Sequence, residues 1–236
     1  MRHILTIGGR QFRSYFNGPV AYIVSCIVML TLGFFFWKTF FLFGRASCRE
    51  MFSWLGLILV FALPALTMGL LAEEKRTGTI EFLITMPVTE AQVIVGKFFG
   101  VLGLYAVLLV LTLPYPISVS TLGNLDWGPV WGGYLGLFLQ GSAILAIGLM
   151  ASSWTSNQLI ALFVGLTLSV FFWMLDKFLA LLPTNAASTL QWLSFDYHFQ
   201  SMARGVIDLR DVLFFFSVTV FALAVAFRAL ESRRWS

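Results

Sequence analysis

Charge is what this sequence has least of. Lysine, arginine, aspartate and glutamate make up 11% of its 236 residues, against roughly 25% in soluble globular domains. With 59% hydrophobic residues, a soluble fold would have too little polar surface to face water, so that class is excluded. Cysteine is also scarce. The two present, Cys26 in an apolar run and Cys48 between two runs, support neither a disulfide framework nor a dithiol centre. Two histidines without a thiolate pair are poor equipment for handling a metal. A phosphate-cradling loop is missing: the nearest match, AQVIVGKF at 91–98, has Ala91 in place of the first glycine and Phe98 in place of Ser or Thr. The chain is therefore not expected to hydrolyse ATP itself, and Gly96-Lys97 reads as helix packing plus an interfacial charge. Ionisable residues are absent from the middle of the apolar runs. Lys38, Asp176, Lys177 and Arg228 sit at their ends, which disfavours a proton-coupled carrier or an intramembrane enzyme. No cleavable leader is expected. The first apolar stretch is too long, and at Ala46-Ser47-Cys48 an arginine, Arg45, stands where a lipoprotein site wants an apolar residue.

What the sequence does have is length without charge. Uncharged runs cover Asn17 to Trp37, Met51 to Ala72, Phe98 to Leu125, Trp127 to Leu175 and Val212 to Phe227. A spanning helix needs about 20 apolar residues. The fourth run is long enough for two spans and is interrupted by Ser152-Ser153-Trp154-Thr155-Ser156-Asn157, which reads as a polar turn. Arg228 can snorkel to lengthen the last. The expectation is an all-α polytopic membrane protein in one domain, with spans at about 19–42, 51–72, 90–122, 127–152, 157–176 and 210–230. With the N-terminus inside, nine Lys and Arg fall on the inner side and six on the outer. That bias has the sign of the positive-inside rule and predicts both termini cytoplasmic. The eight tryptophans fall at or near span edges or in outer loops.

Residues 1–18 are amphipathic. At about 100° per residue, Ile4, Leu5, Phe12, Tyr15 and Phe16 share one arc, opposite Arg2, Thr6, Arg10 and Arg13. This predicts an interfacial helix, apolar face down, which Gly8-Gly9 would weaken. The alternative is a basic tail that only sets topology. The loop 73–89 is dense in charge and has internal structure. Gly78 should end any helix extending from the second span. Thr79 to Met86 is a short segment with Ile80, Leu83 and Ile84 on one side and Glu81 and Thr85 on another, closed by Pro87. Thr89 and Gln92 have the spacing of a capping box, with Val88 and Val93 as its staple and Glu90 in the first turn. A short helix spliced between two spans would act as a lever. The loop 176–211 interleaves Leu190, Trp192, Leu193, Phe195, Tyr197 and Phe199 with polar residues, the pattern of short amphipathic or re-entrant helices. Asp196, His198 and Asp208 read as ordinary polar loop residues rather than metal ligands. Gly96/Gly100 and Gly132/Gly136 are small-residue pairs suited to close helix approach, and Pro114 and Pro116 should kink the third span.

The segment AEEKRTGTIEFLITMPVT followed by VGK, the stretch LDWGPVWGGYLGLFLQGSAILAIGLMASSWTSNQ, and HFQSMARGVIDLRDVLFF with the ending ALESRRWS resemble ABC-2 type permeases, the membrane subunits of ATP-driven exporters. The RGVIDLRD and ESRRW patterns most resemble the branch holding gliding-motility-associated permeases and the copper-site maturation permeases of nitrous oxide reductase. The resemblance implies a six-span fold in the inner membrane and a second permease copy, identical or related. It also implies two separate ABC ATPase subunits that carry ATP and magnesium, with an auxiliary periplasmic or membrane subunit as a further partner beside membrane lipid. No cofactor, metal or nucleic acid is expected on this chain. The resemblance implies that Thr79 to Met86 is a coupling helix docking on the ATPase, so Glu74, Arg76, Gly78, Thr79, Glu81, Phe82, Leu83, Thr85 and Pro87 become coupling candidates, with Thr89 and Gln92 capping the next span. It makes Trp192, Phe195, His198 and Phe199 candidates for an outer gate; the alternative is an interfacial loop without gating. The function expected is coupling of a partner's ATP hydrolysis to movement of a substrate or force across the membrane. The alternative is a passive anchor or scaffold of an envelope complex.

Overall fold

A computed structural model describes residues 2–43, 47–79, 89–179 and 191–231. The described residues form ten helices and no strand. They are α1 (Arg2–Asn17), α2 (Val20–Phe43), α3 (Arg49–Thr67), α4 (Gly69–Arg76), α5 (Glu90–Leu111), α6 (Pro114–Leu122), α7 (Trp127–Trp154), α8 (Gln158–Leu179), α9 (Phe195–Ala203) and α10 (Leu209–Glu231). Six stretches are long and apolar enough to cross a membrane: Val20–Leu42, Arg49–Arg76, Glu90–Leu122, Trp127–Trp154, Gln158–Phe178 and Leu209–Glu231. Two of these are compound, α3 with α4 and α5 with α6.

Each break has a local cause. Pro114 opens α6 at its first turn, where a missing N–H costs nothing, and Thr112 Oγ1 donates to Leu109 O at 2.7 Å to close the end of α5. The second span breaks at Met68. Pro64 inside α3 lacks the N–H that would bond Val60 O one turn earlier, and at the break itself the Thr67 hydroxyl is shared between Leu63 O and Pro64 O at 3.3 and 3.1 Å. Met68 N–H closes α3 on Pro64 O at 3.0 Å, and α4 restarts at Gly69.

α7 is the axis of the molecule. It is buried along most of its length and packs against α3, α5, α8, α9 and α10. Glycines let the neighbours in. A Cβ at Gly133 would meet the Phe52 ring at 2.5 Å, and Gly141 and Gly148 face the Tyr105 ring and the Thr67 hydroxyl. By contrast α2, α8 and α10 turn large apolar side chains outward; Leu30, Phe34, Phe163 and Phe221 are each about two-thirds exposed or more. Water would not tolerate that display, but hydrocarbon does.

α1 does not rest on the bundle by its apolar arc alone. It crosses α5 on a seam of glycines, so close that a Cβ on Gly100 would lie 2.6 Å from Gln11 Cβ, and one on Gly8 would lie 2.9 Å from Gly96 O. Gly8 thus makes the crossing possible. Tyr15, buried, donates its hydroxyl to Leu66 O at 2.9 Å, and burial raises its phenol well above the ordinary range. Leu5, on the arc expected to face the membrane, is 75% exposed.

Candidate functional site at the loop 73–89 and the opposite aromatic cluster

α7, about 42 Å long at 1.5 Å per residue, separates two polar clusters. At its C-terminal end lies the base of the loop 73–89. α4 is held there from two sides. From α7, the buried Ser152 hydroxyl accepts the N–H groups of Leu71 and Ala72, both at 3.0 Å, and donates to Met68 O at 2.9 Å. One donor and two acceptor positions are all that a hydroxyl has, and all three are committed to the break in the second span. Lys75 Nζ donates to Ser153 O on the same helix end. From α5, Lys97 is 3% exposed; its Nζ donates to Leu70 O at 2.7 Å and pairs with Glu74 Oε1 at 2.7 Å.

Two sequence expectations are corrected here. Lys97, expected as an interfacial charge, is itself buried and paired with the partly exposed Glu74, because α1 covers α5 at Gly96–Gly100. Ser152 and Ser153 are not turn residues. α7 runs through them to Trp154, and the turn is Thr155–Asn157, with Thr155 Oγ1 accepting Asn157 N–H at 3.0 Å and Asn157 Oδ1 accepting Leu159 N–H at 2.9 Å.

Of the coupling candidates, Glu74 lies at the heart of the cluster, and its second oxygen is buried without a partner among the described residues. Arg76 ends α4. Thr77 caps it through N–H to Glu73 O at 2.9 Å, and Gly78 follows at φ +71, the left-handed turn-out that glycine makes without strain. Thr79 is exposed, its hydroxyl 3.0 Å from that of Thr77. Glu81, Phe82, Leu83, Thr85 and Pro87, and with them the short helix expected over Thr79 to Met86, lie outside the described residues, as does Val88 of the staple. Across the loop, Thr89 and Gln92 form a reciprocal capping box at the start of α5: Thr89 Oγ1 accepts Gln92 N–H at 3.4 Å and Gln92 Oε1 accepts Thr89 N–H at 3.3 Å.

At the other end, α9 lies in the mouth between α7, α8 and α10. Gly132 and Gly136, a pair that could have served another span, instead admit α9; a Cβ at Gly136 would lie 3.1 Å from Phe199 and from Met202. Phe195 is fully buried, stacked on Phe172 at 5.2 Å and edge-on to Phe215 at 5.6 Å. The His198 ring stacks on Phe214 at 4.1 Å. Its Nδ1 meets Asp211 Oδ1 at 2.7 Å and its Nε2 meets Trp192 O at 2.9 Å. Asp196 accepts from Lys177 Nζ at 2.7 Å and from Gln200 Nε2 at 2.9 Å. Trp192, Phe195 and His198 thus form one aromatic cluster with α10, while Phe199 faces α7. His198 and Asp196 tie α9 to α10 and α8, Asp211 Oδ2 is buried without a partner among the described residues, and among those residues no group of three metal-ligating side chains converges. Cys48, buried beside this end, has its thiol pushed up to about 11 by burial, and Cys26 is free and exposed.

Six apolar spans, with a broken second span bolted on both sides and an aromatic cluster over the far mouth, define a multi-pass α-helical membrane protein. The chain belongs to the ABC-2 transporter family: the sequence model described as ABC-2 family transporter protein matches residues 49–203, from α3 through α9. It is thus the membrane component of an ABC transporter, a subunit that is not itself catalytic. No curated protein matches the chain.

Proposed function

We propose that the chain is the permease of an ATP-driven exporter, in which separate ATPase subunits push on the loop 73–89 and α4 passes that push into the spans. In this reading the loop and both termini are cytoplasmic and the membrane is the inner one. ATP and magnesium sit on two partner ATPases, and a second permease copy completes the path. On its RGVIDLRD and ESRRW patterns we assign the chain to the branch with the gliding-motility and copper-maturation permeases. The carrying observation is the double anchorage of α4. A segment that only connected two spans would need no ion pair to the buried Lys97 of α5 and no hydroxyl splice to α7. Because α4 begins at a break where the Leu71 and Ala72 N–H groups leave the helix ladder for Ser152, it can tilt without bending α3. Because it is bolted to two spans, its tilt moves them. Glu74 is the transmitting residue, and Trp192, Phe195 and His198 form the outer element that this motion opens.

Co-expression with the cognate ATPase tests the reading. Lys97→Met should leave the ATPase bound but remove the nucleotide-dependent change in distance between spin labels placed at Val206 of the two permease copies. An unchanged distance response in Lys97→Met refutes transmission through α4. Failure of any ATPase to associate with the wild-type chain leaves the anchor reading in its place.

A further inference from the structure

α1 has a second face that the bundle does not use. Its packing side, Ile7, Gly8, Gln11 and Tyr15, is taken up by α5 and Leu66. Turned away from that side are Thr6, Gly9, Arg13 and Asn17, which with Leu5 and Arg10 border a shallow depression of about 600 Å³. α1 contains no carboxylate, and among the described residues neither Arg10 nor Arg13 is ion-paired. The two edges of the helix differ. One carries Leu5, Phe12 and Phe16. Phe12 packs on Phe16 at 4.9 Å and Phe16 on Tyr22 at 6.2 Å, and Tyr22 leads onto the outward apolar face of α2, where Ile27 and Leu30 are more than half exposed. The other edge carries His3, Arg10 and Ser14, with Arg10 near enough to Lys97 to repel its charge. The arginines therefore stand just above a surface that continues into hydrocarbon, at the depth of lipid headgroups.

We infer that α1 is a binding site for anionic phospholipid, in which Arg10 and Arg13 hold headgroup phosphates and Leu5 enters the acyl layer. Guanidinium forks match phosphate oxygens, and Leu5 alone among the large apolar side chains of α1 is mostly exposed. An acidic protein surface would satisfy the charge but not the apolar edge that runs on into α2. The inference does not depend on what the loop 73–89 binds.

The test compares the purified full-length chain in detergent with added phosphatidylglycerol or with phosphatidylcholine of the same acyl chains, read by melting temperature and by lipid retained in native mass spectrometry. Phosphatidylglycerol should raise the melting temperature and be retained selectively, and inorganic phosphate should not reproduce either effect. In Arg10→Gln/Arg13→Gln its apparent affinity should fall on the order of tenfold or more, at ~1 kcal/mol per basic residue near a membrane, while Arg10→Lys/Arg13→Lys, which keeps the charge and loses the fork, should fall between the glutamine variant and the wild type. Equal effects of the two lipids on the wild-type chain overturn the inference, and that comparison needs no variant to fold. A glutamine variant that keeps its lipid response but loses a protein partner overturns it in favour of a docking face.

Discussion

Ser152 and Lys97 are single side chains on which the two halves of the loop base depend, and they make different demands. Ser152→Ala strands two N–H groups and a carbonyl at the break in the second span. An unsatisfied buried polar group costs about 1–3 kcal/mol, so the melting temperature should fall by several degrees. Ser153→Ala removes only a bond to Met150 O within its own helix and should cost much less. If the two variants melt together, the splice carries no stability. For Lys97 the comparison is between one partner and both. Lys97→Met alone leaves the partly exposed Glu74 carboxylate without its counter-charge, at less than the roughly 3–5 kcal/mol of a fully buried pair, whereas Glu74→Gln/Lys97→Met removes both charges and should recover much of that loss in a denaturation series. A double variant as damaged as the single would mean the pair holds no coupled energy. Cys48 offers a pH reading. Its thiol is raised to about 11 by burial, so the reactive thiolate is scarce at neutral pH. Maleimide labelling in Cys26→Ser should climb about tenfold per pH unit, as the thiolate fraction does below the pKa. A rate flat above pH 8.5 would contradict the burial.

Helix pairing is where pattern and packing part company. Gly96 and Gly100 announce a close contact by their spacing, but nothing in that spacing names α1 as the partner, because the partner is fixed by where the chain returns in three dimensions. The same holds for Gly132 and Gly136, which receive α9 rather than a span. The six-span architecture was legible because charge-free length is a property of the chain alone, and Gly78 and the Thr89–Gln92 box were legible because turn and cap geometry are local. The Ser152 splice was not: a serine near a helix end reads as a turn unless one knows that residues 68–72 lie opposite it. Lys97–Glu74 joins residues on two helices. The α1–α5 seam gives the prediction at this scale. Gly100→Leu would drive a side chain into Gln11 and the Gly8 carbonyl, so α1 should detach. Trypsin should then cut at Arg10 and Arg13 in a chain whose wild-type form resists, and equal resistance in both would show that α1 stays in place.

For the whole molecule, the two polar clusters lie at opposite ends of α7, and the orientation proposed above puts the loop 73–89 inside and the α9 cluster outside. In a chain with Cys26 and Cys48 replaced, cysteine at the exposed Thr77 should label only from the inside, and cysteine at the exposed Val206 only from the outside. The reverse pattern would invert the molecule. The interruption at Met68 also bears on how the protein is made. Its N–H and carbonyl groups leave the ribosome some 80 residues before the Ser152 hydroxyl that satisfies them, and Lys97 follows Glu74 well ahead of α7. During synthesis the second span therefore waits with an open joint until the fourth arrives, and insertion of α7 closes it. A defect at Ser152 is then felt first as an assembly fault, visible to membrane quality-control proteases before any ATPase has bound.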